Sequence, residues 1–108
     1  MMEYRNKLDE IMLNYRRAEQ LQEEALAIKP ARANSPVIYS KWEESKKCNK
    51  NAVNDLEKII GSLGFKLDFK IKSDSDFLRA YQAISRRVDV ALEALYDFTE
   101  RFSCLTII

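Results

Sequence analysis

Apolar residues in the first 28 positions recur at helical spacing. Tyr4, Leu8, Ile11, Tyr15 and Ala18 are separated by alternating steps of four and three. That rhythm lays them along one face and predicts a helix over residues 3–28. The positions between them are rich in Glu, Arg, Gln, Leu and Ala, which lose little side-chain freedom in a helix. Pro30 sets the end, because proline disfavours helical geometry at the residue before it. "KPARANS" then reads as a loop. A second helical region is expected from Ser35. Asn34 or Ser35 is placed to cap it, and Pro36 falls where a missing N–H costs nothing. Val37, Ile38 and Trp42 supply its apolar face. The pattern fades from Ser45 to Asn51 and resumes as Ala52, Val53, Leu56, Ile59, Ile60 and Leu63. Two helices joined around Lys47–Asn51 are expected, with one long helix as the alternative.

The periodicity then changes. Gly64 is a natural helix stop. After it Phe65, Leu67, Phe69 and Ile71 alternate with Lys66, Asp68, Lys70 and Lys72, a period of two that predicts a half-buried strand over 65–72. A lone strand needs a partner for its backbone groups, which a second copy of the chain would supply. "SDSD" is expected to cap a last helix over 74–104. Its apolar seam is unbroken: Phe77, Tyr81, Ile84, Val88, Ala91, Leu95, Phe98 and Phe102. Such a heptad run predicts a coiled-coil-like contact with either the first helix or another copy. With strand and seam both asking for a partner, a homodimer is expected, with Phe69, Ile84, Val88, Leu95, Phe98 and Phe102 at its interface.

Composition narrows the chemistry. A chain of 108 residues holds one domain with one core, and 46% hydrophobic with 32% charged residues fits a folded protein. The scarcity of Gly and Pro, two of each, favours long helices. No apolar run is long enough to span a bilayer and no apolar leader follows the first residues, so a cytoplasmic protein without membrane contact is expected. No histidine is present, which removes His metal sites and His general bases. Cys48 and Cys104 stand alone, and two isolated thiols make neither a zinc site nor a disulfide framework. No phosphate-binding loop and no nucleophile–base pair occurs. The expectation is a protein that is not an enzyme and takes no cofactor.

Net charge is only +1, but its distribution is uneven. From Lys29 to Lys50 the cations are Lys29, Arg32, Lys41, Lys46, Lys47 and Lys50 against Glu43 and Glu44, a local balance of 6 − 2 = +4. A helix in a DNA major groove reads bases with its first turns while neighbouring cations hold phosphates. Lys29, Arg32, Asn34, Ser35, Ser40, Lys41, Lys46 and Lys47 are the candidate contacts on that reading.

Three segments carry a resemblance: "YRRAEQLQEEALA" from Tyr15, "VIYSKWEE" from Val37 and "DLEKIIGSLGFKLDFKI" from Asp55. Their order is similar to that of the Cro/C1-type (XRE-like) helix-turn-helix family, over roughly residues 8–71. The resemblance implies a mainly α fold: a helix-turn-helix-like core over 8–64, the added strand over 65–72, and a C-terminal helix that pairs two copies. It implies a small dimeric repressor or antitoxin-like regulator of double-stranded DNA, in the latter case with a toxin partner. On this reading Trp42 is buried scaffold and Arg16 pairs with Glu43 to lock two helices. Gln20 stands where the family's first turn has glycine, so residues 3–28 are either one helix or two. The alternative architecture is a plain three-helix bundle. The alternative function is a helical protein-interaction module: an adaptor, an inhibitor, or a phage or plasmid accessory protein.

Overall fold

The computed structural model describes residues 2–107, with side chains from Met2 to Asp97. Three helices account for most of it: α1 (Met2–Ala27), α2 (Ser35–Ser62) and α3 (Asp74–Ile107). A single 3-10 turn, Arg32–Asn34, precedes α2. The fold is mainly α, as expected, and no strand forms among the described residues. The chain divides into two compact units, Met1–Leu8 with Lys66–Ile108, and Asp9–Phe65. The boundary falls inside α1, where an uninterrupted helix hides it from any reading of linkers.

The Asp9–Phe65 unit is a helical hairpin. Three side-chain contacts join its arms: Arg17 to Glu44, Ala18 to Ser45 and Glu24 to Lys41. From Arg17–Glu44 to Glu24–Lys41 the position on α2 falls as that on α1 rises, so the arms run antiparallel. Its buried side chains are Ile11, Tyr15, Ala18, Leu21 and Ala25 from α1, and Ser45, Ala52, Leu56, Ile59 and Ile60 from α2. Ser45 explains why the pattern fades in mid-helix. It occupies an inward position at 1% exposure, and its hydroxyl donates to the Ala18 carbonyl at 2.7 Å. A polar residue thus fills a core site, seven positions before buried Ala52. α2 therefore runs straight through Lys47–Asn51, where a connection was expected. No Gly or Pro interrupts that stretch, and its asparagines lower helix propensity by only about 0.7 kcal/mol or less each. α1 is likewise continuous through Gln20, so the turn that the family resemblance implies there is absent.

Gly64 ends α2 with φ at +67°. Its N–H donates to Gly61 O (3.2 Å) and that of Phe65 to Ile60 O (3.1 Å), the paired bonds of a Schellman cap. Beyond it, residues 65–72 keep their alternation without becoming a strand. Phe65, Leu67, Phe69 and Ile71 are half-buried and the four polar residues exposed. The period-two pattern lays one side of the segment down, but among the described residues no second strand is present to take its backbone groups.

In the other unit, Ser73 caps α3. Its Oγ accepts from the Asp76 N–H (3.2 Å), and Asp76 Oδ2 accepts from the Lys72 N–H (3.1 Å). The Lys72 hydrogen bond chiefly holds the Asp76 carboxyl below its ordinary pKa, with help from Ser73 and Arg79. The Arg79 guanidinium lies 3.8 Å over the Phe69 ring. Leu8, Phe77, Ala80, Ile84 and Val88 are buried. Arg5 in the first turns of α1 donates to Tyr81, Ser85 and Asp89 on three successive turns of α3, at 3.1, 2.7 and 3.0 Å.

The residues expected at a dimer interface take different places in the chain. Ile84 and Val88 are fully buried within a single chain, and Phe69 is engaged by Arg79. Leu95 is exposed, as are Val90 and Tyr96. Phe98 and Phe102 lie outside the residues whose side chains are described, as does Cys104.

Candidate functional site

The basic segment wraps the connecting end of the α1–α2 hairpin and continues along the outside of α2. Local hydrogen bonds build the connection. The Asn34 N–H donates to Ala31 O (2.9 Å), its side-chain amide to Lys29 O (3.0 Å), and the Ser35 hydroxyl to Ala31 O (3.3 Å). Asn34 stands at the N-cap of α2 but makes no side-chain capping bond, because its amide closes the loop instead. Asn34 and Ser35, both expected to face bases, thus spend polar groups on their own backbone.

Ion pairing sorts the charges. Lys41 Nζ meets Glu24 Oε2 at 3.0 Å, and Arg17 Nη2 meets Glu44 Oε1 at 3.1 Å. The Lys41 hydrogen bond, reinforced by its charge, lowers the Glu24 pKa, and Glu44 raises that of Arg17 in the same way. Beside Lys41–Glu24, the second inter-helix pair is Arg17–Glu44, while Arg16 and Glu43 are both exposed. Each is one residue along from the expected pair. Lys41 is neutralised from outside the segment and Glu44 neutralises a cation outside it. What remains is Lys29, Arg32, Lys46, Lys47 and Lys50, all exposed, against Glu43, a balance of 5 − 1 = +4.

The outer face of α2 carries three of these cations. Ser40, Glu43, Glu44, Lys46, Lys47 and Lys50 line a shallow open groove of about 680 Å³, formed by long side chains around the small Ser40. The groove lies outside on one helix and holds no buried polar group of the kind that orients a small substrate. Among the described residues, no group of three or more His, Cys, Asp or Glu gathers to hold a metal ion, and no helix is long and apolar enough to cross a membrane.

Two further residues belong to this surface. Tyr39 is 68% exposed and Trp42 39% exposed, so Trp42 is not the buried scaffold the family resemblance implies. Tyr39, Trp42, Lys46 and Lys50 follow one another at steps of three, four and four, one stripe on the helix. That spacing was readable beforehand. Only the structure separates it from the inward face of Ser45, Ala52 and Leu56. Comparison of the chain with family models, with curated proteins and with solved structures found no match.

Proposed function

We propose that this protein is a nucleic-acid-binding protein without catalytic activity, acting in the cytoplasm through the cationic end of its α1–α2 hairpin. One observation carries the reading: once Lys41 has paired with Glu24 and Glu44 with Arg17, the segment from Lys29 to Lys50 keeps five exposed cations against Glu43. Phosphates attract such a surface without any pocket, and the released counterions drive binding. A regulatory role, as repressor or antitoxin, is the use that the family resemblance implies. The contact surface differs from a groove-reading helix-turn-helix: it is the side of a 28-residue helix, with no short helix preceding it across a turn.

A second reading has its own support. Val90, Leu95 and Tyr96 are 59%, 52% and 67% exposed along α3, apolar side chains that a helix-binding protein partner would cover.

The test is fluorescence anisotropy with labelled oligonucleotides across a salt titration. Binding should weaken as salt rises, with a slope of about 2 to 4 on logarithmic axes. The Lys46→Glu/Lys50→Glu variant should lower both affinity and slope. A control of equal charge change, Arg16→Glu/Lys58→Glu, should keep most of the affinity, since both its positions are exposed elsewhere on the hairpin. Equal losses in the two variants would reduce the surface to net charge, and no binding at low salt would leave the α3 reading.

A further inference from the structure

The stripe on α2 alternates two kinds of contact. Tyr39 and Trp42, three residues apart, are neighbours on the helix surface. Lys46 lies one turn beyond Trp42 and Lys50 one turn beyond that, so the stripe is about 16 Å long. Two exposed aromatic rings next to a row of ammonium groups match the two faces of an unpaired nucleic-acid strand, its bases and its phosphates. Resting on the nucleic-acid reading above, we infer that the preferred ligand is single-stranded, with bases stacked on Tyr39 and Trp42 and phosphates at Lys46 and Lys50.

Two rival ligands fit the surface less well. A duplex keeps its base faces closed inside the stack, so its phosphates would meet the lysines while the rings met nothing. An acidic protein would match the charge, but aromatic anchors of protein interfaces sit in desolvated pockets. The rings here stand on the convex flank of a helix, beside a groove lined by charged side chains and a serine. Stacking needs no enclosing pocket, and Tyr39 and Trp42 are both exposed.

Trp42 is the chain's one tryptophan, so the experiment has a built-in reporter. The full-length protein is titrated with oligothymidylate, with a duplex of equal nucleotide content, with polyglutamate and with phosphatidylserine vesicles, following Trp42 emission. Saturable quenching by oligothymidylate, at tenfold or more higher affinity than the duplex, is expected. Tyr39→Ala should weaken that binding about 5- to 150-fold while leaving the salt slope unchanged, because a stacking contact is lost and no cation is. Tyr39→Phe, which keeps the ring, should bind like the parent, and matching far-UV circular dichroism should show all variants folded. Duplex binding as tight as single-strand binding, with no change in Trp42 emission, would overturn the single-strand inference and leave the nucleic-acid reading standing. Stronger quenching by polyglutamate or by vesicles would overturn both in favour of an acidic protein or a lipid surface. No response to either nucleic acid would overturn both as well.

Discussion

Ser45 offers the sharpest test of how the hairpin is built. Its Oγ lies 2.7 Å from the Ala18 carbonyl, and both residues are buried, at 1% and 2% exposure. Ser45 thus lies against the α1 backbone at a position where both helices carry small, buried side chains. Ser45→Ala removes one hydrogen bond at little cost in shape. The Ala18 carbonyl keeps its partner in the α1 ladder, so the loss should be about 1 kcal/mol. Ser45→Leu adds three carbons where a backbone oxygen already touches the side chain. Overpacking of about 1–3 kcal/mol then adds to the lost hydrogen bond, for a total of roughly 2–4 kcal/mol. At about 4–8 °C per kcal/mol for a chain of this size, Ser45→Ala should lower Tm by about 4–8 °C and Ser45→Leu by at least twice that. Circular dichroism at 222 nm during heating, with urea midpoints as a second measure, reads both. Introducing Ala18→Gly removes a buried methyl from the residue that Ser45 contacts, so Ser45→Leu should cost less in that background, a coupling that a double-mutant cycle isolates. A Ser45→Leu protein that melts with or above the parent would refute the close approach. Greater loss for Ser45→Ala than for Ser45→Leu would place the stability in the hydrogen bond and not in the packing.

Two other measurements address the helix ends. Gly64 holds φ at +67° with open space where a Cβ would sit, so Gly64→Ala should destabilise by about 1 kcal/mol through backbone conformation alone. Gly61, inside α2 with equally open surroundings, should gain about 0.5–1 kcal/mol as Gly61→Ala. Urea midpoints that moved in the same direction for both would contradict the cap. The carboxyl of Asp76 is held below its ordinary pKa in the folded chain, chiefly by the Lys72 N–H. A depressed folded pKa means stability that is present above the unfolded value, about 3.9, and is lost as pH falls through and below it. The Tm difference between the parent and Asp76→Asn should therefore be present at neutral pH and close in strong acid. A difference that stayed constant throughout would show that the charge of Asp76 does not act at this cap.

The sequence by itself determined where helices start and stop, because those signals are local. Pro30 ends α1, Pro36 opens α2, Gly64 closes it with a left-handed residue, and Ser73 with Asp76 caps α3. It also located the most basic segment, since charge can be counted without coordinates. What only the tertiary structure decided was which way each position points and what covers it. Adjacent helical residues differ by about 100° in direction, so Arg17–Glu44 pairs where Arg16–Glu43 was expected. Ser45 looks polar in the sequence yet fills the core, and Trp42 looks like core yet is 39% exposed. The seam of α3 is uniform in sequence, but Ile84 and Val88 are covered within the chain while Leu95 is not. The alternation of residues 65–72 asked for a neighbouring strand, and pairing is a property of two segments that no single one can specify. The candidate site follows the same division. Its cations were legible as a count, but the stripe of Tyr39, Trp42, Lys46 and Lys50 became a surface only once burial of the opposite face of α2 turned it outward.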